Sequence, residues 1–223
     1  DKVYADGGIW PYRENDRLGG HDPYSTSKAC CELVVDSYRK SFFDERGVRV
    51  ATARAGNVIG GGDFGADRLV PDIVRAWLAK KKLEIRMPEA VRPWQHVLEP
   101  LHGYLLLAEC LYHQTEGIDG IPFDVGWNFG ASADDMQPVQ NVVNRMAACF
   151  ENTKDYEIKS NGPHETSCLT LDSSMAHHHL KWKPVWSFVD ALAKTASWYR
   201  WWRDGEDMRA FTERQIEEYE AGL

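Results

Sequence analysis

Strand-like and helix-like stretches alternate along this chain, and no other feature restricts its fold as tightly. Val48–Ala55 (VRVATARA), Leu83–Arg86, Trp94–Val97, Gly126–Phe129 and Leu169–Asp172 read as strands. Asp1–Tyr4 reads as the end of another, followed by a polar loop over 5–22. Between the strands lie segments with apolar residues at helical spacing: Pro23–Arg46, Leu69–Lys81, Leu101–Tyr112, Pro138–Phe150 and Ser173–Leu180, then Ser187–Arg203 and Glu206–Tyr219. Strands that alternate with helices build a largely parallel sheet, so the chain reads as an α/β protein. Pro23 suits a first helical turn and Gly47 a C-terminal stop. Ala29, Leu33, Val34, Tyr38 and Phe42 supply the apolar set of that first helix, and Cys30 and Cys31 read as packing residues within it.

Composition narrows the partners. The 26 Lys and Arg against 34 Asp and Glu leave a net charge of −8, which argues against a nucleic-acid or anionic-membrane partner. No apolar run approaches the roughly 20 residues of a membrane span. Five cysteines, none in a CxxC pair, read as reduced thiols of a cytoplasmic protein. His177-His178-His179 lies inside a helical pattern with no Cys or acidic residue at ligand spacing, so it reads as a solvated helix end and no metal site is expected. Of the nine Trp, Trp182, Trp186, Trp198, Trp201 and Trp202 crowd the C-terminal helices, the pattern of a layer packed with aromatics. At about 150 residues per domain, 223 residues amount to about one and a half domains.

Two motifs carry possible chemistry. The block Gly56-Asn57-Val58-Ile59-Gly60-Gly61-Gly62-Asp63 follows a strand directly, and so falls at the sheet edge where α/β proteins bind ligands. It fits neither GxGxxG nor GxxxxGK[ST]. A ligand-facing loop with Asn57 as amide donor and a tight connection needing positive φ angles are equally open readings. No GxxGxxG-type turn, which would seat a pyrophosphate on a helix N-terminus, occurs anywhere in the 223 residues. The second motif is Tyr24-Ser25-Thr26-Ser27-Lys28, which sets a phenol and an ammonium one helical turn apart on one face. A free phenol has a pKa near 10 and is a poor base at neutral pH. A neighbouring cation favours its phenolate, and such a pair suits removal of a sugar hydroxyl proton while a cofactor takes the hydride.

Taken in order, Asp1-Lys2, Tyr24/Lys28, Arg54–Asp63, Arg68–Ile73, Arg92–Leu101, Trp127–Gly130, His164-Glu165 and Leu171-Asp172 resemble the extended short-chain dehydrogenase/reductase family, in particular its nucleotide-sugar dehydratases and epimerases. The Asp-Lys pair, AGNVIGGGD and RPWQHVLEPL are similar to the branch that dehydrates CDP-glucose, whereas relatives acting on dTDP-glucose or GDP-mannose usually carry Asp-Glu at positions 1 and 2. The resemblance implies the C-terminal part of a doubly wound, Rossmann-type parallel sheet plus a smaller α/β substrate-binding domain. Residues 1–65 are then the remnant of an NAD-binding domain and 66–223 mainly a sugar-nucleotide domain, with segments near 94–112 and 126–135 returning to the first. The expectation is a chain that lacks most of its NAD site and is inactive alone.

The resemblance also implies roles. Tyr24 takes the C4 hydroxyl proton, Lys28 supports it and holds the nicotinamide ribose of NAD, Asp1 protonates the departing C6 hydroxyl, and Lys2 stands where the relatives carry their C5 base. Arg92 is the expected pyrophosphate ligand and Asn57 a donor to the diphosphate-sugar region. Leu69 and Pro71 open a helix over the base, and His164 is a candidate substrate contact. Arg86 joins them, with a surface salt bridge as its alternative. The implied substrate is CDP-glucose or a related sugar nucleotide, and the implied assembly a homo-oligomer built in part through the Tyr24/Lys28 helix. A C4 epimerase, which needs no acid and base at positions 1 and 2, and a non-catalytic sugar-nucleotide module are the competing readings.

Overall fold

A computed structural model describes residues 1–7, 11–113, 119–150, 156–158 and 170–223. The chain forms two compact units. One comprises Asp1–Gly56, Glu99–Ala131 and Leu169–Lys183, the other Asn57–Leu98, Ser132–Cys168 and Pro184–Leu223.

In the first unit, strands β1 (Thr52–Ala55) and β6 (Gly126–Phe129) pair in parallel, with Thr52 opposite Gly126 and Ala55 opposite Phe129. Helix α1 (Pro23–Tyr38) starts at Asp22, whose carboxylate accepts from the Ser25 amide at 3.0 Å and the Ser25 hydroxyl at 2.6 Å. Such a cap satisfies amide donors left free in the first turn. The helical path continues through a π-turn at Arg39–Phe43 and a 3₁₀ turn at Asp44–Arg46, until Gly47 ends it at φ 67°. The expected stop therefore stands, but the regular helix is eight residues shorter than Arg46, because its last turns loosen. Helix α3 (Leu98–His113) contributes Gly103, which allows the Phe129 ring to lie directly on the helix backbone. Leu107, Phe123, Trp127, Phe129, Ala176, Leu180 and Trp182 form the core here, and Trp182 Nε1 donates to the Glu99 carbonyl at 3.0 Å.

Two expectations for this unit are corrected. Cys30 and Cys31 are exposed, because α1 buries Ser25 and Ala29 instead. The histidine run is a solvated end only in part, since His177 and His178 are exposed but His179 is not. His179 on α5 (Ser174–His179) is only 8% exposed, and the His177 ring stacks on Trp182 with centroids 5.5 Å apart.

The second unit builds its core from Val70, Ile73 and Val74 of α2 (Leu69–Ala79), Leu83 and Ile85 of β3 (Leu83–Ile85), Val142, Val143 and Met146 of α4 (Val139–Cys149), and Phe188, Leu192 and Tyr199 of α6 (Phe188–Arg203). Strand β3 pairs in parallel with β8 (Tyr156–Ile158), and β2 (Val58–Ile59) with β5 (Gln95–His96). Strand β4 (Val91–Pro93) runs antiparallel to β7 (Met136–Pro138). A reciprocal Ser187–Asp190 capping box opens α6, and Asp207 caps α7 (Met208–Glu220). Among the described residues, no helix is long and apolar enough to cross a membrane.

His96 in β5 is 2% exposed, and its Nδ1 accepts from the Leu98 amide at 3.3 Å. Burial, with a smaller push from Lys194, lowers its pKa to about 4. The folded state therefore binds the His96 proton more weakly than the unfolded chain does. The resulting stability is complete above the ordinary histidine pKa of about 6.5 and falls away as pH drops toward about 4. The loss amounts to about 3 kcal/mol at most, taking 1.36 kcal/mol per pKa unit. Urea denaturation at pH 7 and pH 4.5, on wild type and His96→Gln, should show a smaller acid-induced loss in the variant. Equal losses in both would exclude His96 as the titrating group.

Candidate active site

The chemistry of the first unit is arranged around a buried ion pair. Arg54 of β1 presents Nε and Nη2 to the two carboxylate oxygens of Glu32 on α1, at 3.0 and 2.8 Å. Both side chains are nearly out of water, at 6% and 11% exposure. A charge on an inward-facing strand position must be paired, and the planar guanidinium suits a two-pronged bond to a carboxylate. Thr52 Oγ1 adds a bond to Glu32 Oε2 at 2.6 Å. Burial alone would raise the Glu32 pKa, but the bonds from Arg54 and Thr52 outweigh it and hold the carboxyl below its ordinary value.

From the pair the network runs to the segment that carries Asp1 and Lys2. Arg54 Nη1 donates to the Tyr4 hydroxyl at 2.7 Å, and the Tyr4 hydroxyl donates to Asn128 Oδ1 on β6, also at 2.7 Å. Burial pushes the Tyr4 pKa to about 12 against the opposing pull of Arg54, so this phenol acts as a structural donor and stays protonated. The Tyr4 and Tyr12 rings stack at 5.0 Å. Asn128 Nδ2 donates to the Tyr12 carbonyl at 3.0 Å, and its backbone N–H donates to Glu14 Oε1 at 3.1 Å. The Gly19 amide bonds the Val3 carbonyl at 2.9 Å and the Ala5 amide bonds the Arg17 carbonyl at 2.9 Å, which folds the polar loop back toward the start of α1.

On this scaffold the four expected catalytic residues share one unit. Tyr24 is 62% exposed on the first turn of α1, and Lys28 Nζ lies 5.4 Å from its ring centroid, as the i, i+4 spacing requires. The Asp1 nitrogen reaches the Ala55 carbonyl at 3.3 Å, and the Asp1 carboxylate lies over Gly56, where a β-carbon would collide with Oδ2. Lys2 is exposed. Asp22, the α1 cap, is held below its ordinary pKa chiefly by the Ser25 hydroxyl, with Lys2 a lesser contributor. Lys2 thus lies within electrostatic reach of the turn that carries Tyr24.

The second unit holds the residues expected to bind substrate. Asn57 adopts a left-handed φ of 46°, an uncommon geometry that Asn tolerates, and its carbonyl accepts from the Gln95 amide at 3.3 Å. Arg92 lies in β4 opposite Gln137 and donates to the Val91 carbonyl at 2.9 Å. Arg86, just past β3, makes a 3.5 Å surface ion pair with Asp67. Leu69 and Pro71 open α2, but Pro71 is buried and Leu69 packs against the core of its own unit. His164 lies outside the described residues. The triple glycine resolves into three different demands. A β-carbon at Gly60 would come within 2.8 Å of Val97, Gly61 lies flat against the Trp198 ring, and among the three only Gly62, at φ 79°, needs a left-handed backbone.

Sequence reasoning gave no role to Tyr4, Glu14, Glu32, Arg54 or Asn128. Their signal was present in Arg54, a charge in the middle of an apolar strand, which demanded a buried partner. The sequence did not show that the partner would come from α1.

The chain matches the family model described as GDP-mannose 4,6 dehydratase over residues 1–195. It is 43% identical to the CDP-glucose 4,6-dehydratase of Salmonella typhimurium over 217 residues, which cover 95% of this chain and 59% of that protein. It is 24% identical to the dTDP-glucose 4,6-dehydratase of Escherichia coli, covering 91% of this chain and 56% of the relative. The chain therefore spans less than two thirds of the length of these relatives. Its fold is that of a Streptomyces venezuelae dTDP-glucose 4,6-dehydratase solved with NAD and TYD bound, at a TM-score of 0.73 and 22% identity over 92% of this chain and 59% of the other. It is equally that of a UDP-glucose-4-epimerase from Stenotrophomonas maltophila with bound NAD, at a TM-score of 0.76 and 17% identity over 92% and 62%.

The Arg54–Glu32 pair should behave as one unit. Arg54→Met leaves a buried carboxylate without its partner and should cost about 3–5 kcal/mol, while the double variant Arg54→Met/Glu32→Leu should recover most of that loss. Urea denaturation of the two single variants and the double variant measures the coupling. Additive losses would show that the pair does not act as one.

Proposed function

The chain belongs to the GDP-mannose 4,6 dehydratase family, and from that premise we propose that the protein carrying it dehydrates CDP-glucose to CDP-4-keto-6-deoxyglucose, with NAD as resident cofactor. The observation that carries the reaction type is the gathering of Tyr24, Lys28, Asp1 and Lys2 in one compact unit, with the Tyr24 phenol exposed. The choice of sugar nucleotide rests on the 43% identity to the Salmonella enzyme.

The residues present fit the nicotinamide-ribose end of a dinucleotide, since Lys28 extends beside the Tyr24 ring from an exposed helix face. When bound, NAD supplies the carrier for a hydride removed at C4 and restored at C6. In this reading Tyr24 accepts the C4 hydroxyl proton, with the Lys28 ammonium beside its ring. The C4 ketone acidifies the C5 hydrogen, which passes as a proton to Lys2. Asp1 donates a proton to the C6 hydroxyl, which departs as water. Once C6 has regained a hydride and C5 the proton held by Lys2, the net change is loss of one water molecule. Gly56 gives the Asp1 carboxylate its seat, and Arg92 and Asn57 supply donors for the diphosphate.

The same reading includes a homo-oligomer formed in part through α1, whose Leu33, Val34 and Tyr38, with Phe42 just beyond, are each more than half exposed. It also includes a cytoplasmic location, in keeping with four cysteines that are free among the described residues.

The protein carrying this chain, incubated with CDP-glucose, should yield a 4-keto product with alkali-induced absorbance and no C6 hydroxyl. A product that keeps its C6 hydroxyl would make it an epimerase, and turnover of a different sugar nucleotide alone would overturn the substrate. Tyr24→Phe should lower kcat by about 10²–10⁴-fold with binding of CDP-glucose retained. A separate test is Gly56→Ala, which displaces the Asp1 carboxylate. It should lower kcat by on the order of 10²-fold at nearly constant KM, and an unchanged kcat would remove Asp1 from the reaction.

A further inference from the structure

We propose that Asp119, His178 and His179 form a binding site for a divalent transition-metal ion, with Zn²⁺ as its natural match. Among the described residues these are the one group of three His, Cys, Asp or Glu side chains whose ligand atoms all lie within 4.8 Å of one another. The sequence concealed the group, because Asp119 stands 59 residues before His178. The acidic partner that local spacing lacked arrives from a turn, where Asp119 and Gly120 both adopt left-handed φ angles of 53° and 77°.

The geometry suits a small tetrahedral ion. His178 Nε2 and Asp119 Oδ2 lie 3.3 Å apart. Two ligands at about 2.1 Å from a tetrahedral Zn²⁺ are separated by about 3.4 Å, so this edge of the polyhedron is already formed. Closing the remaining edges from at most 4.8 Å takes a shift of about 1 Å in side chains on the same surface. His179 is the fixed member. It is 8% exposed, packs edge-on to Trp127 at 6.4 Å, and its buried Nδ1 has no hydrogen-bond partner among the described residues. Buried polar nitrogens are rarely left without a partner. As a simple salt bridge, the His178–Asp119 pair would contribute little, since both side chains are about two-thirds exposed. Two imidazoles and one carboxylate favour Zn²⁺, Ni²⁺ or Cu²⁺ over Mg²⁺ and Ca²⁺, which prefer all-oxygen shells. Three protein ligands leave a position for water. A bound ion would fasten the Asp119-Gly120 turn to α5. This inference does not depend on the dehydratase reading.

The test is calorimetric titration of untagged, metal-stripped protein with ZnCl₂, with MgCl₂ as control. One equivalent of Zn²⁺ should bind and raise the melting temperature, and Mg²⁺ should do neither. Asp119→Asn and His178→Gln should each weaken Zn²⁺ binding by about tenfold or more, with unchanged far-UV circular dichroism. Both side chains are exposed enough for folding to tolerate the change. Exposed Cys30 and Cys31 offer the competing ligands. Binding should therefore survive thiol alkylation, and the Co²⁺ derivative should lack a thiolate charge-transfer band. The proposal is overturned if Zn²⁺ does not bind, if binding ignores both substitutions, if alkylation abolishes it, or if His177→Gln weakens it while His178→Gln does not.

Discussion

The Arg54–Glu32 pair is the constraint on which the first unit depends. It joins a helix to a strand through two parallel charged hydrogen bonds at 3.0 and 2.8 Å, and both partners are too deeply buried to be left unpaired. Lysine at position 54 could not make the same bond, since an ammonium has no planar fork. The pair adds little net stability relative to an apolar substitute, because desolvation offsets much of the attraction. What it supplies is position. Glu32 lies one turn beyond Lys28 on the same helix face, so anchoring Glu32 also fixes the rotation of the face that carries Tyr24 and Lys28. The third arm of Arg54 reaches Tyr4, two residues past Lys2, so one guanidinium sets both ends of the proposed catalytic group.

Close approach is the second organising feature, and glycine permits it. Each glycine at a crowded contact accommodates a different neighbour: the Asp1 carboxylate at Gly56, the Trp198 ring at Gly61 and the Phe129 ring at Gly103. Two of these are aromatic rings laid on backbone. Trp198 fills the space against Gly61 while its Nε1 donates to Thr212 at 3.0 Å, so the glycine block and the C-terminal helices form one packed layer within the second unit.

Elements whose signals are local were legible in the sequence. Gly126–Phe129 forms β6 with the bounds expected, and Ser187 and Gly47 act as helix start and stop. The strand expected at Trp94–Val97 forms as Gln95–His96, whereas Val91–Pro93 is an additional strand that pairs with a distant partner, Met136–Pro138. Pro93 lacks the amide a continuous strand would need. Features that depend on distant pairing were not legible. The stripe Leu33, Val34, Tyr38 and Phe42 has helical spacing, yet each member is more than half exposed. Burial of His179 could not be read, because Trp127, against which it packs, lies elsewhere in the chain. Of the candidate site, the Tyr24/Lys28 pair could be read from spacing alone, whereas the Asp1 seat on Gly56 required the fold.

The position of Lys2 bears on how the proposed elimination would work. A lysine removes a proton only in its neutral form, and loss of water is the main influence that favours that form. Lys2 is exposed, and it lies within electrostatic reach of the Asp22 carboxylate. Lys2 thus differs in setting from Arg54, Glu32 and Tyr4, which are held in the buried network. Asp1 differs, since its carboxylate is already seated against Gly56 and needs only the proton it would donate. If Lys2 takes the C5 proton, its desolvation must arrive with the sugar nucleotide. Binding energy from the distant nucleotide would then be spent on creating the base. In that proposed division of labour, the fold would seat the acid and the bound substrate would complete the base.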